Sequence, residues 1–187
     1  HRRLVPAAGV RGVVDTAPLL ESQFGQLAGL GWIGKTTMLI NRKMGSWFFL
    51  AALLSTEELE YDQPSDAGHC GSCRACLDAC PTGALFEPYR LDARKCISYL
   101  TIELRGPAPP ELRAACGNRL FGCDACQEAC PWNRRTPATA EPSFQPAAGM
   151  NPVELAELCR LDESAFRTRF RHTPLWRAKP EGILRNA

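Results

Sequence analysis

Two cysteine runs constrain this chain more than anything else in it. The first is Cys70-x2-Cys73-x2-Cys76-x3-Cys80-Pro81, and the second is Cys123-x2-Cys126-x3-Cys130-Pro131. Seven of the ten cysteines fall in these two runs. The first run has the spacing of bacterial ferredoxins that hold two 4Fe–4S clusters. Two-residue gaps wrap the backbone around one cubane and aim three thiolates and several N–H groups at it. The fourth cysteine points away and serves the second cluster, and the proline after it fixes the chain direction. The second run lacks its first cysteine, because Leu120 stands where one would fall. Pseudo-twofold exchange gives Cys70, Cys73, Cys76 and Cys130 to cluster one. It gives Cys80, Cys123, Cys126 and one more to cluster two. Spacing leaves Cys96, Cys116 and Cys159 as candidates for that place. Zinc sites more often pair two CxxC units about a dozen or more residues apart. Disulfide frameworks scatter their cysteines among loops. Both fit these runs less well than iron–sulfur. Cysteines left over from the clusters, such as Cys116 and Cys159, read as small buried residues.

The rest of the 187 residues must supply a fold around those runs. Hydrophobic residues make up 45%, and the net charge is only +2. A sizeable core is possible, and any nucleic-acid contact must come from a local patch. No apolar run reaches the roughly 18 residues needed to cross a bilayer, so no membrane partner is expected. No signal-peptide pattern is visible. The chain begins with His1, so the natural start is expected upstream. Val10–Asp15 reads as a strand. Pro18 is expected to open a helix in which Leu20, Phe24 and Leu27 share a face. Thr37–Ile40 and Ser46–Leu54 suggest strand, turn, strand, with Trp47–Leu54 buried. An acidic loop, 57–69, leads to the cysteines. Asp92–Glu103 is expected to be one helix capped by Asp92, and Glu111–Cys116 a short one. Residues 134–150 read as a linker. Asn151-Pro152-Val153-Glu154 resembles a capping box. Asp162 and Thr173-Pro174 are expected to open two further helices.

The run GLGWIGKT at 29–36 matches both the P-loop and the G-x-G-x-x-G patterns. Each needs a strand before it and a helix after it. The order here is reversed, so nucleotide binding is not expected. The glycines are read instead as allowing a sharp turn at a helix end and a close backbone approach.

Taken in order, six segments resemble epoxyqueuosine reductases, a cobalamin-dependent family of tRNA-modifying enzymes. They are VVDTAPLLE (13–21), AGLGWIGKTT (28–37), GSWFFLAALLST (45–56), CGSCRACLDACPTGAL (70–85), KCISYLTIELRG (95–106) and GCDACQEACPWN (122–133). The resemblance implies an α+β chain. Residues 1–64 would be the C-terminal part of a nitroreductase-like α/β cobalamin-binding domain. Residues 65–136 would be a ferredoxin-like module with two 4Fe–4S clusters, and 137–187 a linker with short, repeat-like helices. It makes Cys96 the last ligand of cluster two and Asp15 the proton donor. It places Lys35, Ser46 and Ser98 around the cofactor. The family's N-terminal part and the end of its helical region are missing, which implies a central fragment.

The implied reaction reduces the epoxide of epoxyqueuosine in tRNA to queuosine. Electrons would come from a flavodoxin- or ferredoxin-type donor in the cytoplasm, through the clusters, to cobalamin. Epoxide opening needs an acid. Asp15, beside Val13, Val14 and Leu19, is expected in an apolar setting that keeps it protonated. Read from the residues alone, it is a turn or N-cap residue before Pro18. Arg167, Arg169 and Arg171 form a candidate patch for tRNA phosphates. Gln127 and Trp132 flank the second run and are candidates to pack on cofactor or substrate. Two other readings compete: a reductive dehalogenase-like cobalamin enzyme, and a non-catalytic ferredoxin-type carrier. A pure carrier needs no α/β segment before residue 60.

Overall fold

The computed structural model describes residues 9–15, 17–65, 68–150 and 152–187. Helices and small sheets are mixed. β1 (Val10–Val14) and β4 (Ala51–Ser55) form an antiparallel ribbon, with Val10 opposite Ser55 and Val14 opposite Ala51. Between them lie α1 (Glu21–Leu27) and the hairpin of β2 (Trp32–Ile33) and β3 (Leu39–Ile40). The first cysteine run contains α2 (Ala75–Asp78), followed by the bulged hairpin β5 (Leu85–Glu87) and β6 (Arg90–Leu91). Then come α3 (Pro110–Cys116), α4 (Ala125–Glu128) in the second run, and α5 (Leu155–Leu158), α6 (Glu163–Phe170) and α7 (Lys179–Asn186).

The expected strand–turn–strand is not formed. β3 pairs with β2, inside the GLGWIGKT run, and β4 pairs with β1. The turn after β3 explains the divergence. Asn41 Oδ1 accepts from the N–H groups of Lys43 and Met44, closing an Asx turn that returns the chain at Gly45. Gly45 has φ +60, and a Cβ there would collide with Asn133 Oδ1. The chain is thus pinned to the second cysteine run before β4 begins. Gly31 is equally constrained, since its Cβ would meet the Ile40 carbonyl across the β2–β3 hairpin. These two close approaches, and Gly29 at φ +69 just past α1, are what the glycines of this region supply. No helix follows the run, as expected from the sequence.

Other expectations need correction. The helix after Pro18 begins only at Glu21, so Asp15 does not cap it. Trp47–Leu54 is not buried: Phe49 is 84% exposed and Leu53 73%. A two-stranded ribbon has no second layer of its own to cover that face. Asp92 does cap a helical turn, accepting from Arg94 N at 3.1 Å. That 3-10 turn covers only Ala93–Lys95 and breaks at Cys96, which is extended (φ −67, ψ 127). A helical stretch containing a π turn at Tyr99–Glu103 then follows. α5 starts at Leu155 with Glu154 at the N-cap and no side-chain cap bond. The expected capping residue Asn151 lies outside the described residues. Asp162 caps α6, accepting from Ala165 N at 2.7 Å. Thr173-Pro174 opens a 3-10 turn, Pro174–Ala178, in place of an α-helix.

Among the described residues, three cores hold these pieces. The C-terminal core packs Leu158, Phe166, Phe170, Ala178 and Ile183, with Leu120 and Phe121 against it. The other two are built on cysteines. One joins Trp32, Ile40 and Cys130, with Cys70 and Trp132 alongside. The other joins Cys76, Leu77 and Leu85, with Cys80 and Cys126. Phe170 is fully buried, with its ring 5.2 Å from that of Phe166. Phe170→Ala is expected to destabilise the chain by about 3–5 kcal/mol, measured by denaturant unfolding of the metal-loaded protein. Among the described residues no helix is long and apolar enough to cross a membrane.

Candidate functional site

The two cysteine runs fold alike. The residue before α2, Arg74, has φ −125 and ψ 4; the residue before α4, Asp124, has φ −112 and ψ 14. α2 and α4 pack against each other. This pairing brings the Cys-Pro end of each run to the CxxC part of the other. Two cavities result. The first, of about 260 Å³, is lined by Cys70, Cys73, Cys76 and Cys130. The second, of about 330 Å³, is lined by Cys80, Cys96, Cys123 and Cys126. This is the grouping drawn from pseudo-twofold exchange and, for Cys96, from the family resemblance. Cys116 lines a different cavity with Arg113 and Arg119, and Cys159 is exposed rather than buried.

The break at Cys96 is what turns its thiol inward. Beyond it, Ser98 Oγ donates to the Cys123 carbonyl at 3.3 Å and accepts from Cys123 N at 3.1 Å. Thr101 Oγ1 accepts from Gly122 N at 2.9 Å and donates to the Ile97 carbonyl. These bonds stitch the Cys96 segment to the second run. On the other side, Asn133 Oδ1 accepts from Ser46 N at 2.7 Å. Its Nδ2 donates to Ser46 Oγ and to the Gln127 carbonyl. Ser46 Oγ in turn donates to Gln127 Oε1 at 2.8 Å. Trp132 packs edge-on to Trp32, with ring centroids 4.9 Å apart.

The thiols disfavour one another as anions. Burial, with Cys70 and Cys130 adding, pushes Cys76 up. Burial, then Cys70 and Cys73, does the same for Cys130. Cys126 is pushed up to about 11 by burial and by its neighbours Cys123, Cys96 and Cys80. Burial also acts on Cys80, but bonds from Leu85, Thr82 and Ala84 outweigh it and hold that thiol below its ordinary value. A bound cationic centre favours the thiolate form, so loading it releases protons. All ten cysteines are free. Among the described residues, no three His, Cys, Asp or Glu converge tightly enough to hold one metal ion. Each set of four thiols lines an open volume, as a cubane requires.

Beyond the second cavity lies a larger groove of about 1030 Å³. Val14, Asp15, Met38, Phe49, Trp176 and Arg177 are among its walls. Met38 lines both the groove and the second cysteine cavity, and Thr36 lines both cysteine cavities. The second cysteine cavity therefore adjoins both the first and the groove. Asp15 sits at the groove with φ +52, a conformation aspartate tolerates in turns. It is not enclosed by Val13, Val14 and Leu19. Its side chain is 62% exposed and accepts from Arg177 Nη1 at 2.7 Å. Arg177 Nε also meets Glu103 Oε1 at 2.7 Å.

Three expected cofactor residues lie elsewhere than the groove wall. Lys35 lines the first cysteine cavity, where its Nζ donates to the carbonyls of Gly71 at 2.5 Å and Cys73 at 2.9 Å. Ser98 lines the second cavity, and Ser46 is spent on Gln127 and Asn133. Arg167, Arg169 and Arg171 do not form one patch. Arg167 pairs with Glu163, and Arg169 reaches Glu157 and the Gly149 carbonyl. Arg171 alone of the three lines the groove. The sequence does not single out Arg177, Glu103 or Asn133. Their partners lie up to 162 positions away, and no local pattern marks them.

The 4Fe–4S double cluster binding domain family matches residues 69–133. The chain is 53% identical over 178 residues to the epoxyqueuosine reductase of Pseudomonas aeruginosa, covering 95% of this chain and 49% of that protein. An epoxyqueuosine reductase solved with an epoxyqueuosine-modified tRNA-Tyr stem loop superposes with a TM-score of 0.92. That pair is 35% identical, over 98% of this chain and 48% of the other. The reductase from Bacillus subtilis, solved with its catalytic aspartate loop swung out of the active site, gives a TM-score of 0.87 at 35% identity. It is covered over 47% of its length by 95% of this chain. The chain spans about half the length of the relatives it matches. In its double-cluster domain, its sequence and its fold, the chain matches about half of an epoxyqueuosine reductase.

Proposed function

We propose that this chain carries the electron path and the acid of an enzyme that reduces the epoxide of epoxyqueuosine in tRNA to queuosine. Cys70, Cys73, Cys76 and Cys130 would ligate one 4Fe–4S cluster; Cys80, Cys96, Cys123 and Cys126 would ligate the other. The observation that carries this reading is that two four-cysteine cavities and one groove adjoin one another, sharing Thr36 and Met38. A carrier alone has no use for the groove. Its Val14, Met38, Phe49 and Trp176 walls would offer apolar surface to the face of a corrin, beside charged groups such as Asp15, Glu103 and Arg177. Bound there, cobalamin would supply a strong reductant, and the clusters would supply electrons singly from a flavodoxin- or ferredoxin-type donor.

The overall change takes two electrons and two protons. The epoxide oxygen leaves as water and an alkene remains. The chain's own part would be a proton, and Asp15, which lines the groove, would give it. Arg177 must first let it go. The pair is half exposed, so it is worth only about 0–1 kcal/mol and opens at little cost. A relative with its catalytic aspartate loop swung out supports a mobile acid of this kind. The enzyme is read as cytoplasmic, where its tRNA substrate lies.

Anaerobically prepared protein is expected to contain about eight irons per chain and matching sulfide. Electron paramagnetic resonance after reduction should detect both clusters. Zinc in place of iron, or about four irons, would overturn the ligand assignment.

A further inference from the structure

The two cysteine cavities carry opposite charges at their walls. Lys35 lines the first, and Arg42 stands behind it, 3.0 Å from the lining His69. Among the described residues, neither Lys35 nor Arg42 has a carboxylate partner. No carboxylate lines that cavity. The second cavity has no lysine, arginine or histidine at its wall, and it has Asp124. Asp124 is bonded to Gln127 Nε2 and to no cation. Its charge therefore stays near the second set of thiols.

From this asymmetry we propose that Lys35 sets the first cluster at a higher reduction potential than the second. It rests on the two-cluster reading above. Each cluster gains one negative charge when it accepts an electron. A fixed ammonium beside it stabilises that charge, and a carboxylate opposes it. Lys35 is held in place by the Gly71 and Cys73 carbonyls, so the cation cannot drift from the first cysteine loop. The charge at each cavity wall thus orders the pair. An electron from an external one-electron reductant rests on the first cluster. The second, next to the groove, becomes the stronger reductant once it is filled. The lysine of the P-loop-like run acts on a cluster, with no nucleotide involved.

The test is a potentiometric titration of the anaerobic holoprotein, followed by electron paramagnetic resonance. Wild type is expected to give two resolved midpoints. Lys35→Met should move the higher one to more negative potential and leave the lower in place. Lys35→Arg should stay close to wild type, because the charge is kept. Asp124→Asn should move the lower midpoint upward and narrow the gap from the other side. Coincident wild-type midpoints would overturn the proposal. So would a Lys35→Met protein whose higher midpoint does not move or whose lower one moves instead. If Lys35→Met loses a cluster, the wild-type gap and Asp124→Asn decide the matter. Wild-type iron well short of about eight atoms would count against the two-cluster reading itself, not this ordering.

Discussion

Cys96→Ala protein is expected to lose one cluster and keep the other, falling from about eight irons to about four. Cys116→Ala is expected to keep them all. The contrast is sharp because both residues precede the second run and both are half-buried. Only Cys96 shares a cavity with Cys80, Cys123 and Cys126. Cys116 faces a cavity edged by Arg113, Arg119 and Arg185. Ser98 and Thr101 hold the Cys96 segment on Gly122 and Cys123 without help from the metal. The variant should therefore fold around its remaining cluster, and the loss should be read as a missing ligand. Iron and sulfide analysis settles the count. Equal iron in both variants would send the fourth ligand elsewhere. Loss of iron only in Cys116→Ala would reverse the assignment.

How much of the fold and the site is legible in the amino-acid sequence depends on the range of each interaction. Seven of the proposed ligand positions are legible because cubane ligation is local: spacings of two and three residues encode it directly. The eighth is not. Cys96 lies 27 positions before Cys123, and what selects it is a helix break that no propensity marks. Family resemblance supplies it, and spacing leaves three candidates. The strand pairing is hidden for a related reason. Leu39–Ile40 is apolar enough to pair with either neighbour. What decides is the close approach of Gly31 to the Ile40 carbonyl, together with the anchoring of Gly45 on Asn133. Both depend on contacts that a window of residues does not contain. The exposure of Trp47–Leu54 escapes composition, which reports what a segment prefers to bury, not whether a covering layer is at hand. Asp15 stands out in the sequence, but its partner Arg177 does not, and neither does its exposure.

Asp15→Asn is the variant expected to cost activity most while sparing structure. Asparagine keeps the size of the side chain and tolerates the same φ of +52. It can still bond to Arg177, so the groove should keep its shape. It cannot deliver a proton. Loss of a positioned general acid typically costs about 10²–10⁴-fold. Turnover of an epoxyqueuosine-bearing stem loop should fall by that order in a full-length protein containing this sequence, with iron and cobalamin content unchanged. Arg177→Gln separates proton delivery from ion pairing. It frees Asp15 at a cost of about 1 kcal/mol or less, so clusters and fold should survive. If the pair only parks the acid between turnovers, this variant should keep most of its rate. A rate as low as that of Asp15→Asn would mean that Arg177 holds Asp15 in its working position. Unchanged turnover in Asp15→Asn would remove Asp15 from the chemistry. The source of the proton would then have to be sought among the other groups at the groove, with Glu21 and Glu103 the carboxylates in its wall.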